Sequence, residues 1–238
     1  MQITILGGKG FVGGHLVDYY IDHGHMVKVI DNGSTGDYIN PQAIYFDSDV
    51  STIPVNQLME ILANSDVVFH LAATARVQPS YENPQLYFQN NIGSLVNVLE
   101  ALRRLSYKNK FIYTSTSSVY ITANKYRGND EYATLNPTSP YALSKLQCEQ
   151  ICEWYRNYYL LNNIIVRPFN VYGPRMSHLN GYQTVLQKFL DLYKSQKPLT
   201  VWGDGKQTRD FTHIDDIVQG LTLIAESGID PIYNIASN

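Results

Sequence analysis

The chain has 238 residues, 44% of them hydrophobic and 16% charged, with a formal net charge of -3 at pH 7. That length supports one substantial core, alone or with a small appended subdomain, and the composition excludes a disordered tail. The slight acidity gives no basic surplus for gripping nucleic acid, and no apolar run approaches the ~18 residues that a membrane span needs.

Residues 1–6 enter a strand pattern at once, with no basic segment ahead of an apolar stretch, so no signal peptide is expected. Residues 3–6 read as the first strand and 12–23 as the helix behind it. Short apolar strands follow at 27–30, 44–46 and 67–71. Between 91 and 105, apolar residues recur at Ile92, Leu95, Val96, Leu99 and Leu102, a helical spacing. Residues 111–113 make a fifth strand, 141–160 a long helix and 164–166 a sixth strand. From 170 to 181, Gly, Pro and Asn mark a loop. A helix near 185–194 and short strands around 200–202 and 232–235 complete the order. Strand and helix alternate throughout, which predicts an α/β fold with a parallel sheet covered on both faces. The last strand has nothing after it, so a shortened chain is expected.

Cys148 and Cys152 lie four apart on one face of the long predicted helix. A helix interior rarely holds good disulfide geometry, and no His or further Cys stands close in sequence to complete a metal site. The pair is expected to pack in a core or an interface, in a reduced cytoplasmic protein without a metal.

Gly7, Gly10 and Gly13 follow the first strand and open the first helix. Glycine there admits unusual backbone angles, brings amides against a pyrophosphate and lets the helix pack close to the sheet. A tight strand-to-helix turn without a ligand is the plainer alternative. Asp31 ends the second strand, where an acidic residue accepts hydrogen bonds from adenosine ribose hydroxyls. No Arg or Lys follows in residues 32–36 to hold a 2′-phosphate, which favours NAD over NADP. Lys9, inside the glycine loop, is expected to be a solvated surface lysine. Asp49 and Val50 stand where an adenine edge is contacted; a helix cap accounts for them equally well.

Tyr141 and Lys145 are spaced i, i+4, so on a helix the phenol and the ammonium share a face. A phenol of pKa near 10 is a poor base at neutral pH, and a neighbouring lysine cation, with the positive nicotinamide of an oxidised cofactor, favours its phenolate. Alone, this spacing describes many helix surface pairs. Here it follows a strand that ends in hydroxyls at residues 114–120, on the sheet edge where ligands bind in such folds.

The glycine loop, Asp31, the 70–73 and 90–94 segments, the hydroxyl-rich 114–120 stretch, the Tyr141/Lys145 pair, and the segments 167–175 and 203–210 occur in order from Met1 to Asn238. Together they resemble the extended short-chain dehydrogenase/reductases, specifically the NAD-dependent epimerase/dehydratase family. The resemblance implies a Rossmann-type doubly wound parallel sheet with a small, shortened C-terminal substrate subdomain. Residues 1–168, completed by 209–227, would bind NAD; residues 169–208 and 228–238 would form the substrate part. It implies Tyr141 as general base and acid, Lys145 as its electrostatic partner and a ribose ligand, and Thr116 as the hydroxyl that meets the sugar 4-hydroxyl. Gly7, Gly10, Phe11, Val12, Gly13, Asp31, Asn32, Asp49 and Val50 would line the cofactor, with Leu71, Ala72 and Ala73 approaching through backbone. Asn90 would support that wall, and Pro168 would flank the nicotinamide. Asn170, Arg175 and Arg209 would face the nucleotide-sugar substrate, Arg209 gripping its diphosphate with a bidentate fork.

The implied reaction is 4-epimerisation of a UDP-hexose through a transient 4-keto sugar. The family's 4,6-dehydratases carry an Asp-Glu pair after the position of Thr116; Ser117 and Ser118 stand here, without a carboxyl group. Ile121 replaces the usual glycine after the Val-Tyr pair. A uronate epimerase, decarboxylase, reductase or dehydratase of a related nucleotide sugar is the alternative. A non-catalytic NAD-binding protein with an incomplete pocket is another. A homodimer is implied, through the helices predicted at 91–105 and 141–160.

Overall fold

A computed structural model describes residues 1–120, 130–176, 184–201 and 203–237. Ile121, residues 177–181 of the predicted loop, residue 202 of a predicted strand and Asn238 lie outside the described residues. The chain begins with β1 (Gln2–Leu6), α1 (Phe11–Asp22), β2 (Met26–Asp31), β3 (Ile44–Asp47), α2 (Val55–Leu62) and β4 (Val67–His70). Next come α3 (Val77–Glu82), α4 (Pro84–Tyr87), a π-helical turn (Phe88–Ile92), α5 (Gly93–Arg104), β5 (Lys110–Thr114) and a 3-10 turn (Ser117–Val119). Then follow α6 (Pro140–Tyr159), β6 (Asn163–Pro168), β7 (Val171–Tyr172), α7 (Val185–Lys194), β8 (Thr212–His213), α8 (Ile214–Ser227) and β9 (Ile232–Ile235).

Seven of these strands form one parallel sheet in the order β3-β2-β1-β4-β5-β6-β9. The order reverses between β1 and β4, and the crevice at such a switch point is where ligands bind in open α/β sheets. Alternation along each strand divides the core in two. Leu6, Val68, Phe111, Tyr113 and Ile165 face one layer, against Leu58, Leu99, Cys148 and Cys152 of α2, α5 and α6. Ile3, Ile5, Phe69, Ile112 and Val166 face the other, against Leu16, Val17, Ile217 and Leu221 of α1 and α8. Each fully buried leucine or isoleucine contributes about 1.5–3 kcal/mol, so the doubly covered sheet is a rigid frame for the loops at its carboxyl edge. Both cysteines are free and buried in the first layer, as the packing expectation has it.

The start of α6 is fixed locally. Ser139 caps it, its hydroxyl accepting from the Ala142 amide at 3.1 Å, and Pro140 opens the first turn. Tyr141 is thereby held in that first turn and Lys145 one turn deeper.

Several expectations need correction. Residues 232–235 are not part of a substrate subdomain: β9 pairs with β6 in the main sheet, with Ile235 in its core. Residues 200 and 201 form no strand. The predicted helix at 91–105 begins earlier, since α4 and the π-helical turn lead directly into α5.

Candidate active site

The carboxyl edge of the sheet opens into a cleft of about 730 Å³, within the range of small-molecule sites. At one end lies the glycine loop. Gly7 has φ +90, and a Cβ there would meet the Ala72 amide nitrogen at 2.5 Å; a Cβ on Gly13 would lie 2.1 Å from the Gly7 carbonyl oxygen. Only glycine permits this contact of loop, helix and β4. No side chain caps α1, and no acidic residue occupies its first turn, so its amides and positive dipole end face the cleft through Phe11, Val12 and Gly13.

Asp31 is buried at the rim and accepts from the Lys9 amide at 2.9 Å and the Gly33 amide at 2.7 Å, one on each carboxylate oxygen. Each oxygen keeps a lone pair for a ligand hydroxyl. Asn32 donates to Asp49 at 2.9 Å, and Asp49 also accepts from the Ser51 amide and hydroxyl. Asp49 closes a turn ahead of α2, whose N-cap is Pro54, so it does not cap that helix; with Val50 it lines the cleft. Lys9 is not a solvated surface lysine. Its side chain is 12% exposed and pairs with Asp47 while lying over the Tyr45 ring.

The floor is the 71–74 segment. The π-helical turn sends two successive asparagines to it: Asn90 donates to the Thr74 hydroxyl at 3.0 Å, while Asn91 accepts from the Thr74 amide at 2.8 Å. Buried Asn91 also donates to Ser144 of α6 at 2.9 Å. Asn91 and Ser144 thus fasten the floor to the helix that carries Tyr141. Sequence reasoning named Asn90 and missed this pair, although Asn91 stands beside it in the same motif.

Thr116 begins the 3-10 turn, its hydroxyl accepting from the Ser118 amide at 3.2 Å, and lines the same wall of the cleft as the Tyr141 phenol. Burial pushes the phenol up to about 12, and the neighbouring Thr116 hydroxyl works against that rise. Lys145 is 3% exposed, donates to the Thr114 carbonyl at 2.8 Å and lies 4.8 Å from the Tyr113 ring centre. Burial lowers its pKa to about 8. Desolvation is the largest influence on both groups, and each favours its neutral form. Beneath them, burial and the Lys145 charge push His70 down to about 3, so it is neutral.

The buried Lys145 gives a pH signature. Its folded pKa is depressed below the unfolded value of 10.5, so between pH 8 and 10.5 the unfolded chain holds a proton that the folded chain has lost. Stability from this group rises with pH through that window, by up to about 1.4 kcal/mol per pH unit. Urea unfolding from pH 7 to 10 should show wild type gaining on Lys145→Met as pH increases. A constant difference would place the lysine in a solvated setting.

Gly7, Gly10, Phe11, Val12, Gly13, Asp31, Asn32, Asp49, Val50, Leu71, Ala72, Ala73, Asn90, Thr116, Tyr141, Lys145, Pro168 and Asn170 all line this one cleft. Two expected substrate residues do not. Arg175, at φ +62, pairs with Asp18 at 2.8 Å and stacks on Tyr38 at 4.2 Å, pinning its turn to α1. Arg209 is exposed and donates to its neighbour's Thr208 carbonyl. Asn170 donates to the Asp210 carbonyl at 2.6 Å, which ties the Arg209 segment to the rim. Arg76 and Tyr87 line the cleft without having been anticipated.

Residues 3–236 match the profile of the NAD dependent epimerase/dehydratase family. The chain is 33% identical to a putative UDP-glucose 4-epimerase of Methanocaldococcus jannaschii, over 99% of this chain and 77% of that protein. It is 34% identical to UDP-glucuronic acid decarboxylase 1 of Arabidopsis thaliana, over 95% of this chain and 52% of that one. The crystal structure of a UDP-glucose 4-epimerase from Thermotoga maritima with UDP-glucose superposes with a TM-score of 0.91 at 31% identity, covering 99% of this chain and 77% of that one. An uncapped helix start behind a glycine turn, and a rim carboxylate with free lone pairs, suit the pyrophosphate and ribose of a dinucleotide. This chain belongs to the NAD-dependent epimerase/dehydratase family, and its cofactor is NAD.

Proposed function

We propose that the protein is a nucleotide-sugar 4-epimerase that acts on a UDP-hexose through a transient 4-keto sugar. The observation that carries this reading is the placement of Thr116, Tyr141 and Lys145 on one cleft, with buried Lys145 one turn of α6 beyond Tyr141. The α1 amides and Asp31 would hold the pyrophosphate and adenosine ribose, and Lys145 the second ribose. NAD, when bound, would supply reversible hydride transfer at sugar C4. Tyr141 Oη takes the proton of the 4-hydroxyl and later gives it back to the ketone oxygen. Thr116 would give its one hydroxyl proton to that oxygen and so hold it beside Oη. Ser117 and Ser118 bring no carboxyl group beside the sugar to expel water. Arg209, one residue from the Asn170-bound rim, is the proposed ligand of the diphosphate.

Proton NMR of a UDP-sugar panel incubated with protein and NAD tests the reading: interconversion of 4-epimers is expected. Similarity to the Arabidopsis decarboxylase favours a second reading, a UDP-uronate decarboxylase, which the same spectra identify by a pentose product. No turnover of any sugar would leave a non-catalytic NAD-binding protein. A homodimer through α5 and α6 belongs to the same proposal; exposed Trp154 and Tyr158, ring centres 5.1 Å apart near the end of α6, support it.

NAD is expected to bind more tightly than NADP by about tenfold or more, because a 2′-phosphate meets the Asp31 carboxylate. Asp31→Ala should weaken both, since it also releases the Lys9 and Gly33 amides, and should narrow the gap. Equal or tighter NADP binding by calorimetry would overturn the assignment.

A further inference from the structure

A buried polar network lies behind the cleft and reaches its wall through Ser115; Glu149 and Arg167 at its centre do not line the cleft. Glu149 is on α6, one turn beyond Lys145, and Arg167 is on β6; they are 4% and 1% exposed. The guanidinium meets the carboxylate with both arms, Nε to Oε1 at 2.9 Å and Nη2 to Oε2 at 2.5 Å. The Ser115 hydroxyl donates to the same Oε1 at 2.5 Å. The remaining arm of Arg167 donates to the Tyr120 hydroxyl at 2.7 Å and the Glu131 carbonyl at 2.9 Å. Tyr120 in turn donates to Asn234 of β9 at 2.8 Å.

Ser115 and Tyr120 are the two ends of the segment that contains Thr116 and its 3-10 turn. We propose that Glu149 and Arg167 are positioning residues, which clamp both ends of the 115–120 segment and so hold the Thr116 hydroxyl against Tyr141. Backbone bonds hold the two ends, Ser115 to Val166 at 2.7 Å and Asn136 to Val119 at 2.9 Å. Within the turn that carries Thr116 they lengthen to 3.2–3.4 Å, so the side-chain bonds of Ser115 and Tyr120 add what the backbone of the turn does not supply. The clamp joins that segment to α6, so Thr116 and Tyr141 are referred to one rigid support. A donor displaced by a fraction of an ångström loses most of its effect on a reacting oxygen. The catalytic part of this inference rests on the epimerase reading above.

Ser115→Ala removes one hydroxyl and leaves the ion pair intact, so the fold survives. It should lower kcat by about 10–100-fold with little change in KM, and shift the alkaline-going limb of the pH–rate profile to higher pH. Ser115→Thr should restore both. In a Thr116→Val background, Ser115→Ala should cost almost nothing further, because its effect runs through Thr116. Tyr120→Phe, at the other end, should behave like Ser115→Ala. Amide exchange at Ser118, whose N–H is held by the Thr116 hydroxyl, reads the clamp without turnover and should accelerate in Ser115→Ala. Unchanged Ser118 exchange, or losses that add to that of Thr116→Val, would overturn the inference. Absence of turnover in wild type would instead strike at the epimerase reading and leave the exchange result to decide the clamp.

Discussion

Tyr141→Phe is expected to lower kcat by about 10²–10⁴-fold while NAD affinity stays within experimental error of wild type. The substitution removes one oxygen and keeps the ring, so the edge-to-face packing on Tyr87, with centres 6.3 Å apart, persists. That oxygen is the proposed proton acceptor, and positioned proton transfer contributes about that factor. Cofactor binding rests instead on the glycine turn, the α1 amides and Asp31, none of which contacts the phenol. The pH dependence follows from the same group. Burial pushes the phenol up to about 12, and the base works only when deprotonated. The rate of the wild type should therefore climb with pH until it reaches the phenol's pKa in the loaded enzyme, and this limb should vanish in the variant. Steady-state kinetics across pH, with calorimetry for NAD, check both parts. A near-normal rate for the phenylalanine variant would move the general base to another residue.

The cofactor half of the cleft was legible because its demands are local. A glycine turn between strand and helix has a spacing that close packing dictates, and Gly7 and Gly13 meet it with contacts no Cβ could share. Tyr141 and Lys145 were legible because helical geometry converts i, i+4 into one face. What the sequence did not reveal is where long side chains end. Arg175 and Arg209 occupy the expected positions in their motifs, yet Arg175 finds Asp18 and Tyr38, which are distant in sequence, and Arg209 points to solvent. Helix α2 was missed because it is eight residues long and starts at Pro54 without a side-chain cap. Strand β9 was assigned to the wrong part because the 170–208 insertion separates it from β6, and sequence order says nothing about which edge a late strand joins. The Glu149–Arg167 pair left one visible trace. An acidic residue stands on the face of α6 that otherwise carries Lys145, Cys148 and Cys152 into the core, and a buried carboxylate must have a partner.

Removing one member of that pair is expected to produce a large loss of stability for a single substitution. Arg167→Met leaves the Glu149 carboxylate, 4% exposed, with the Ser115 hydroxyl as its remaining donor. Breaking a buried pair in this way costs about 3–5 kcal/mol, because the surviving charge keeps its desolvation penalty and loses its counter-charge. For a domain of this size that lowers Tm by roughly 10 °C. Glu149→Leu should cost a similar amount, since it strands the guanidinium. The double variant should recover at least half of the loss, because neither charge remains to be desolvated and two apolar side chains fill the space. Full recovery is not expected: the Ser115 hydroxyl and the Glu131 carbonyl each lose a partner. Urea unfolding of the two single variants and the double closes the cycle. If the clamp works as inferred, the double variant should regain stability without regaining turnover. Stable folding does not need the charges, whereas holding Thr116 against Tyr141 needs the hydrogen bonds they make. Single variants that lose less than about 1 kcal/mol would mean that water reaches the pair.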